Sequence, residues 1–256
     1  MKKLDERIEQ AARGGPEEIR RLVHDPGVEV LEGLLRNPLF TEEHLLVVLN
    51  RKDLPGTFLE EIAGHKEWIQ SQRVKAAVVQ HPRTPRLVSL KLLKFLYLFD
   101  LVTVCLQPAV PAEIKRLAED QIIGRMEQLP VGQQITLGRR STARVVAALL
   151  LEGNEPVIPA ALDNPLLTEG ALLGVLRRDD LAEKMVEQIA HHPKWSPRYD
   201  VRLQLVRHPL TPLATALGFL PDLKPGDLKL LTQDRRMPVA LRQYVKAEAE
   251  RRLQRR

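Results

Sequence analysis

Cysteine is almost missing from this chain of 256 residues: Cys105 stands alone. A single thiol excludes an intrachain disulfide and any metal cluster held by several cysteines. Aromatic side chains are scarce too, five Phe, three Tyr and two Trp. Leu, Ala, Val and Arg dominate instead, a balance that suits helices packed through aliphatic side chains better than a β-sandwich. No apolar run approaches the roughly 18 residues of a membrane span. The opening Met1-Lys2-Lys3-Leu4-Asp5-Glu6 is charged and amphipathic rather than leader-like, so the expectation is a soluble cytoplasmic protein with no membrane partner. Neither GxxxxGK[ST] nor GxGxxG occurs, which removes the usual glycine-rich phosphate cradles.

What is present begins with charge. The formal net charge is +6. From Arg235 onward there are eight basic residues against Glu248 and Glu250, so this stretch carries the whole excess and residues 1–234 sum to zero. A duplex-wrapping protein spreads positive charge along a face; here it sits at one end. The terminal stretch reads as a helix over 238–256 that projects Arg242, Lys246, Arg252 and Arg256 to solvent. Basic residues there favour the negative end of the helix dipole, or they form a tail for an acidic partner.

The second feature is an internal repeat at an offset of 127 residues. Asn37-Pro38-Leu39-Phe40-Thr41-Glu42 falls on Asn164-Pro165-Leu166-Leu167-Thr168-Glu169. Trp68 falls on Trp195, and His81-Pro82-Arg83-Thr84-Pro85 on His208-Pro209-Leu210-Thr211-Pro212. The register runs without a gap from 37–126 to 164–253, with roughly a third of positions identical, and extends more weakly upstream. The expectation is a single array over 1–256 containing a duplication of 10–126 and 137–253. Each copy reads as helices of about 9–15 residues with one apolar stripe each. Thr41, Thr168, Thr84 and Thr211 read as N-caps, with Pro85 and Pro212 at the first helical position.

Short helix pairs punctuated by Asn-Pro, His-Pro and Thr-Pro resemble HEAT and armadillo solenoids. The two phrases His81-Pro82-Arg83-Thr84-Pro85 and His208-Pro209-Leu210-Thr211-Pro212 resemble the leucine-rich repeat variant most closely. The resemblance implies an all-α, right-handed α-α superhelix that binds protein or nucleic acid along a concave face. Some leucine-rich repeat variant proteins carry an iron–sulfur cluster in an N-terminal cysteine segment. No cysteine precedes Cys105 here, so no cofactor is carried over.

A residue kept in both copies serves what both copies share, which is packing and capping. Trp68 and Trp195 therefore read as core anchors rather than base-stacking platforms. The pairs His65/His192 and His81/His208 read as caps on carbonyls. Glu61–His65 and Glu187–His191 have the spacing of a two-ligand metal edge, but a zinc site needs three or four protein ligands and nothing nearby supplies them. Ser141-Thr142 after Arg139-Arg140 reads as a helix cap, and Cys105 as a core thiol. Catalytic, cofactor and metal residues are expected to be absent.

The function expected is a non-enzymatic interaction scaffold that binds a protein partner through a solenoid groove or an apolar patch. The alternative is a nucleic-acid-binding solenoid that uses the basic C-terminal helix, or a HEAT-like DNA glycosylase with a Trp in its groove. Phe95, Tyr97 and Val102 align with Asp222, Lys224 and Lys229 in the second copy. Two explanations stay open: an exposed partner patch, or burial under residues 127–163.

Overall fold

At Asn37-Pro38, His81-Pro82, Gln107-Pro108, Asn164-Pro165, His192-Pro193 and His208-Pro209 a helix stops, because the residue before proline is pushed out of the α region. In the computed structural model, which describes residues 2–234 and 237–253, the described residues form eighteen α-helices and three short 3₁₀ turns, with no strand among them. The chain is all-α. It divides into two compact units, Met1–Ile122 and Ile123–Arg256.

The first unit runs α1 (Lys2–Arg13), α2 (Pro16–Leu22), α3 (Val28–Leu35), α4 (Glu42–Leu49), α5 (Gly56–Gly64), α6 (Gln72–Gln80), α7 (Arg86–Leu93), α8 (Leu98–Leu106) and α9 (Ala112–Ile123), with a 3₁₀ turn at Trp68–Gln70. Helix α1 packs on α3, α4 on α6, and α6 on α8.

The second unit runs α10 (Val131–Arg140), α11 (Ala143–Glu152), α12 (Ile158–Leu162), α13 (Glu169–Leu176), α14 (Glu183–His191), α15 (Tyr199–Arg207), α16 (Leu213–Phe219), α17 (Pro225–Gln233) and α18 (Val239–Leu253). Its helices pack on the next but one: α10 on α12 on α14, α11 on α13 on α15, and α16 on α18. From α10 to α15 alternate helices thus form two rows, and apolar residues of α11 to α15 make a common core. That core includes Val146, Leu172, Met185, Ile189 and Trp195, all buried. Several helices are shorter than nine residues, down to five in α12. They are too short to persist alone in water and depend on the apolar face they bury.

The helix bounds recur at the 127-residue offset. Helices α4, α5, α6 and α8 begin and end 127 positions before α13, α14, α15 and α17. Side-chain bonds recur with them. Buried Asn37 donates from Nδ2 to the carbonyls of Ala11 (2.9 Å) and Gly14 (3.0 Å) and accepts from the Leu39 amide. Buried Asn164 does the same with Gly138 (2.7 Å), Ser141 (3.1 Å) and the Leu166 amide. Each amide ties the end of one helix, α1 or α10, to a turn more than twenty residues later, and so pairs both its own buried polar atoms and the carbonyls it reaches.

Two threonines act differently from the sequence expectation. Thr84 and Thr211 do not cap the helices that follow them. Their hydroxyls donate backwards, to the carbonyls of Val78 and Leu205 near the ends of α6 and α15. Pro85 and Pro212 are extended and stand just before α7 and α16 rather than inside them. The orphan carbonyls of a helix C-terminus need donors, which a threonine hydroxyl supplies. Thr168 does cap α13, accepting from the Ala171 amide at 3.2 Å. The amide of Thr41 donates to His44 Nδ1.

Candidate interaction surfaces

The histidines kept at the repeat offset face inward. His81 Nδ1 accepts from the Arg83 amide at 3.2 Å, so Nε2 carries the proton and donates to the Arg51 carbonyl at 2.6 Å. His208 makes the same pair of bonds, from the Leu210 amide (3.2 Å) and to the Arg178 carbonyl (2.8 Å). The carbonyl served lies 30 residues upstream, so each ring joins two turns instead of closing its own helix. Burial pushes the His81 pKa down from its usual range. A ring with both nitrogens engaged and its neutral form favoured is a structural bridge.

The second histidine pair diverges. His192 Nδ1 accepts from the Lys194 amide and Nε2 faces Asp163 at 3.2 Å. His65 instead lies beside Trp68, with ring centres 5.9 Å apart and its Nδ1 without a partner. His191 Nδ1 meets the backbone carbonyl of Glu187, not its carboxylate. Among the described residues no group of three or more His, Cys, Asp or Glu converges as a metal site would require.

The tryptophans differ as well. Trp195 is 1% exposed and donates from Nε1 to the Leu162 carbonyl at 2.8 Å, which leaves it no face for a nucleobase. Trp68 is half-buried, edge-on to Phe40 at 5.7 Å, with Nε1 unpaired. Cys105 is buried, its thiol 3.6 Å from the Lys115 carbonyl. Ser141 is buried, and Thr142 is the extended residue that precedes α11.

The proposed patch separates into two kinds of residue. Phe95 and Tyr97 are 55% and 64% exposed, and Phe99 and Leu87 share that exposure. Val102 is 6% exposed and belongs to the core, so it is no part of a surface. The reason is helical phase. Val102 stands beside Leu101 on the buried side of α8, whereas Phe95 and Tyr97 lie in the α7–α8 turn. At the matching turn of the second unit, Asp222 pairs with Arg202 and the Lys224 ammonium lies 4.7 Å from the Tyr199 ring centre. One turn presents aromatic rings and the other paired charges.

The basic tail also divides. Arg242 and Lys246 are exposed. Arg252 is not projected into solvent: it pairs with Glu248 at 2.7 Å and donates to the carbonyls of Leu223 (2.8 Å) and Leu220 (3.2 Å). It anchors α18 to the 3₁₀ turn Leu220–Asp222, because a guanidinium can satisfy several orphan carbonyls at once. Arg256 lies outside the described residues.

No family profile, curated protein or solved structure matches this chain.

The described clefts are shallow and polar or lie along helix seams. One of about 130 Å³ is lined by Arg51, Lys52, Gln80 and His81 in the first unit. Another of about 160 Å³ is lined by Arg177, Arg207 and His208 in the second. The Asn-Pro pattern marks Asn37 and Asn164 as punctuation between helices but does not by itself reveal the bridges their amides make. The signal was available in the matched Asn-Pro, since an identical polar residue in both copies needs identical partners. No helix among the described residues is long and apolar enough to cross a membrane.

Proposed function

We propose that the protein is a non-enzymatic scaffold, an α-solenoid of the HEAT or leucine-rich repeat variant kind built from two copies of a ~127-residue unit, which binds a partner protein through the α7–α8 edge of its first unit. The recurrence of helix bounds and of the Asn37/Asn164 and His81/His208 bridges supports the duplicated array. Packing of α4 on α6 and α6 on α8 in the first unit, and of α10 on α12 and α11 on α13 on α15 in the second, supports stacking.

The observation that carries the binding surface is the aromatic exposure of Phe95, Tyr97 and Phe99. Exposed rings cost solubility, are not needed by the helical core, and are the side chains that protein interfaces enrich. The basic tail is the weaker surface for nucleic acid, because Arg251 and Arg252 are both paired with Glu248.

The test is affinity capture from native lysate with nuclease added, comparing the wild-type chain with Phe95→Asp/Tyr97→Asp. A protein partner captured by the wild type and lost with the folded double variant supports the reading. A partner retained by the variant, or retention abolished by nuclease alone, overturns it.

A further inference from the structure

Helix α18 lies against α17, and the seam between them opens into a groove of about 590 Å³. Pro225, Gly226 and Ala249 make a small apolar floor, with Lys229 on the α17 wall and Lys246 and Glu250 on the α18 wall. A Cβ built on Gly226 meets nothing within 4 Å. Packing within the chain therefore does not demand a glycine there.

The positions 127 residues earlier carry Phe99, Val102, Glu119 and Ile122, where the groove has Gly226, Lys229, Lys246 and Ala249. Two bulky apolar side chains give way to Gly and Ala, while a Val and a Glu give way to Lys. Room and positive charge arise at the same seam. A polar end to a helical array accounts for the lysines but not for the missing bulk, since a solvated face needs charge and not a channel.

The two lysines are also uncommitted. Arg251 and Arg252 are taken by Glu248, yet neither Lys229 nor Lys246 holds an ion pair among the described residues. Cations left unpaired on both walls of an apolar-floored groove call for anionic groups carried on an apolar ligand.

We propose that the α17–α18 groove docks an acidic amphipathic peptide segment of a partner protein, its apolar side chains over Gly226 and Ala249 and its carboxylates between Lys229 and Lys246. Glu250 repels a carboxylate at its end of the groove and so sets the direction of the segment. The net charge of +6 favours encounter with acidic partners. A nucleic-acid strand would find two cations and no aromatic platform in the lining. The groove lies in the second unit and the aromatic edge in the first, so each reading stands or falls without the other.

The test selects short peptides from a random display library on the full-length chain, with short single-stranded DNA as the competitor. The expected peptides combine Asp or Glu with Leu, Ile or Phe. Lys229→Glu/Lys246→Glu weakens them by about tenfold or more. Gly226→Trp fills the groove without altering its charge and does the same, whereas Phe95→Asp leaves them unchanged. Circular dichroism and thermal melting establish that each variant is folded. Failure to enrich acidic peptides, or equal binding by wild type and both groove variants, overturns the proposal. Displacement of the peptides by the DNA at matched concentration overturns it as well and makes the groove a nucleic-acid site.

Discussion

Gly33 of α3 and Ala11 of α1 meet where their helices pack together: a Cβ built on Gly33 lies 3.1 Å from the Cβ of Ala11. The packing of α10 on α12 holds the same two residues in exchanged places. Gly138 stands where Ala11 does and Ala160 where Gly33 does, and a Cβ built on Gly138 lies 3.5 Å from the Cβ of Ala160. At the first crossing a second methyl is crowded by the facing one, whereas at the second the tightest neighbour of the added Cβ is the Ala161 backbone nitrogen at 3.2 Å. Close approach of two short helices is thus preserved while the residue that permits it changes helix.

Gly33→Ala adds the second methyl and is expected to destabilise the first unit by about 1–3 kcal/mol, the usual cost of overpacking. Adding Ala11→Gly, which reproduces the order found at Gly138 and Ala160, recovers part of that loss. Part remains because the Ile8 carbonyl also lies 3.1 Å from the added Cβ. Urea midpoints of the single and double variants measure the coupling. Strict additivity of the two changes removes the contact as its cause.

Asn37→Ala strands two carbonyls and one amide, and a loss of about 1–3 kcal/mol is expected for groups left buried without partners. Asn37→Asp is expected to cost at least as much at neutral pH, because a carboxylate oxygen then faces the carbonyls of Ala11 and Gly14. The same order is expected at Asn164. A stable Asn37→Asp protein in thermal melts would contradict the bridging role.

His81 links stability to pH. Its pKa is lowered by burial from a reference of 6.5, so the unfolded chain binds the proton more readily. The His81 contribution is complete above the unfolded pKa and is lost as pH falls through the lowered folded one. The stability gap between wild type and His81→Gln should therefore narrow on acidification below about pH 6.5. Chemical denaturation across that range reads the gap; a constant gap rejects the neutral bridge.

Trp195 and Trp68 should respond unequally to truncation. Trp195→Ala removes a fully buried ring and the bond to Leu162, with an expected cost of about 3–5 kcal/mol. Trp68→Ala costs less, since that ring is half-buried and its indole nitrogen has no partner. Tryptophan fluorescence of Trp68→Phe, which leaves Trp195 as the sole emitter, should be strongly blue-shifted and poorly quenched by acrylamide.

Arg252→Ala is expected to loosen the end of the second unit rather than to weaken binding to an acidic ligand. Its guanidinium holds Leu220 and Leu223 carbonyls together with Glu248. Hydrogen exchange at α18 should accelerate in this variant. Unchanged protection there, or a loss of acidic-peptide binding without it, reverses the assignment.

The helical character, the stops between helices and the 127-residue register were legible in the sequence because each depends on near neighbours. Proline bars the residue before it from the α region, apolar residues recur with the helical period, and the matched Asn-Pro and His-Pro junctions repeat both signals. The tertiary structure alone decided the direction in which a polar side chain bonds and which of several apolar residues is covered. Thr84 donates backwards to Val78, Arg252 turns onto the Leu220–Asp222 turn, and Val102 is buried while Phe95 and Tyr97 are exposed. Trp195 finds the Leu162 carbonyl 33 residues away, and the indole nitrogen of Trp68, at the matching position 127 residues earlier, finds no partner. The physical reason is range. A helix bound is set within a few residues of chain, whereas the partner and exposure of a side chain are set by whichever element folding brings against it.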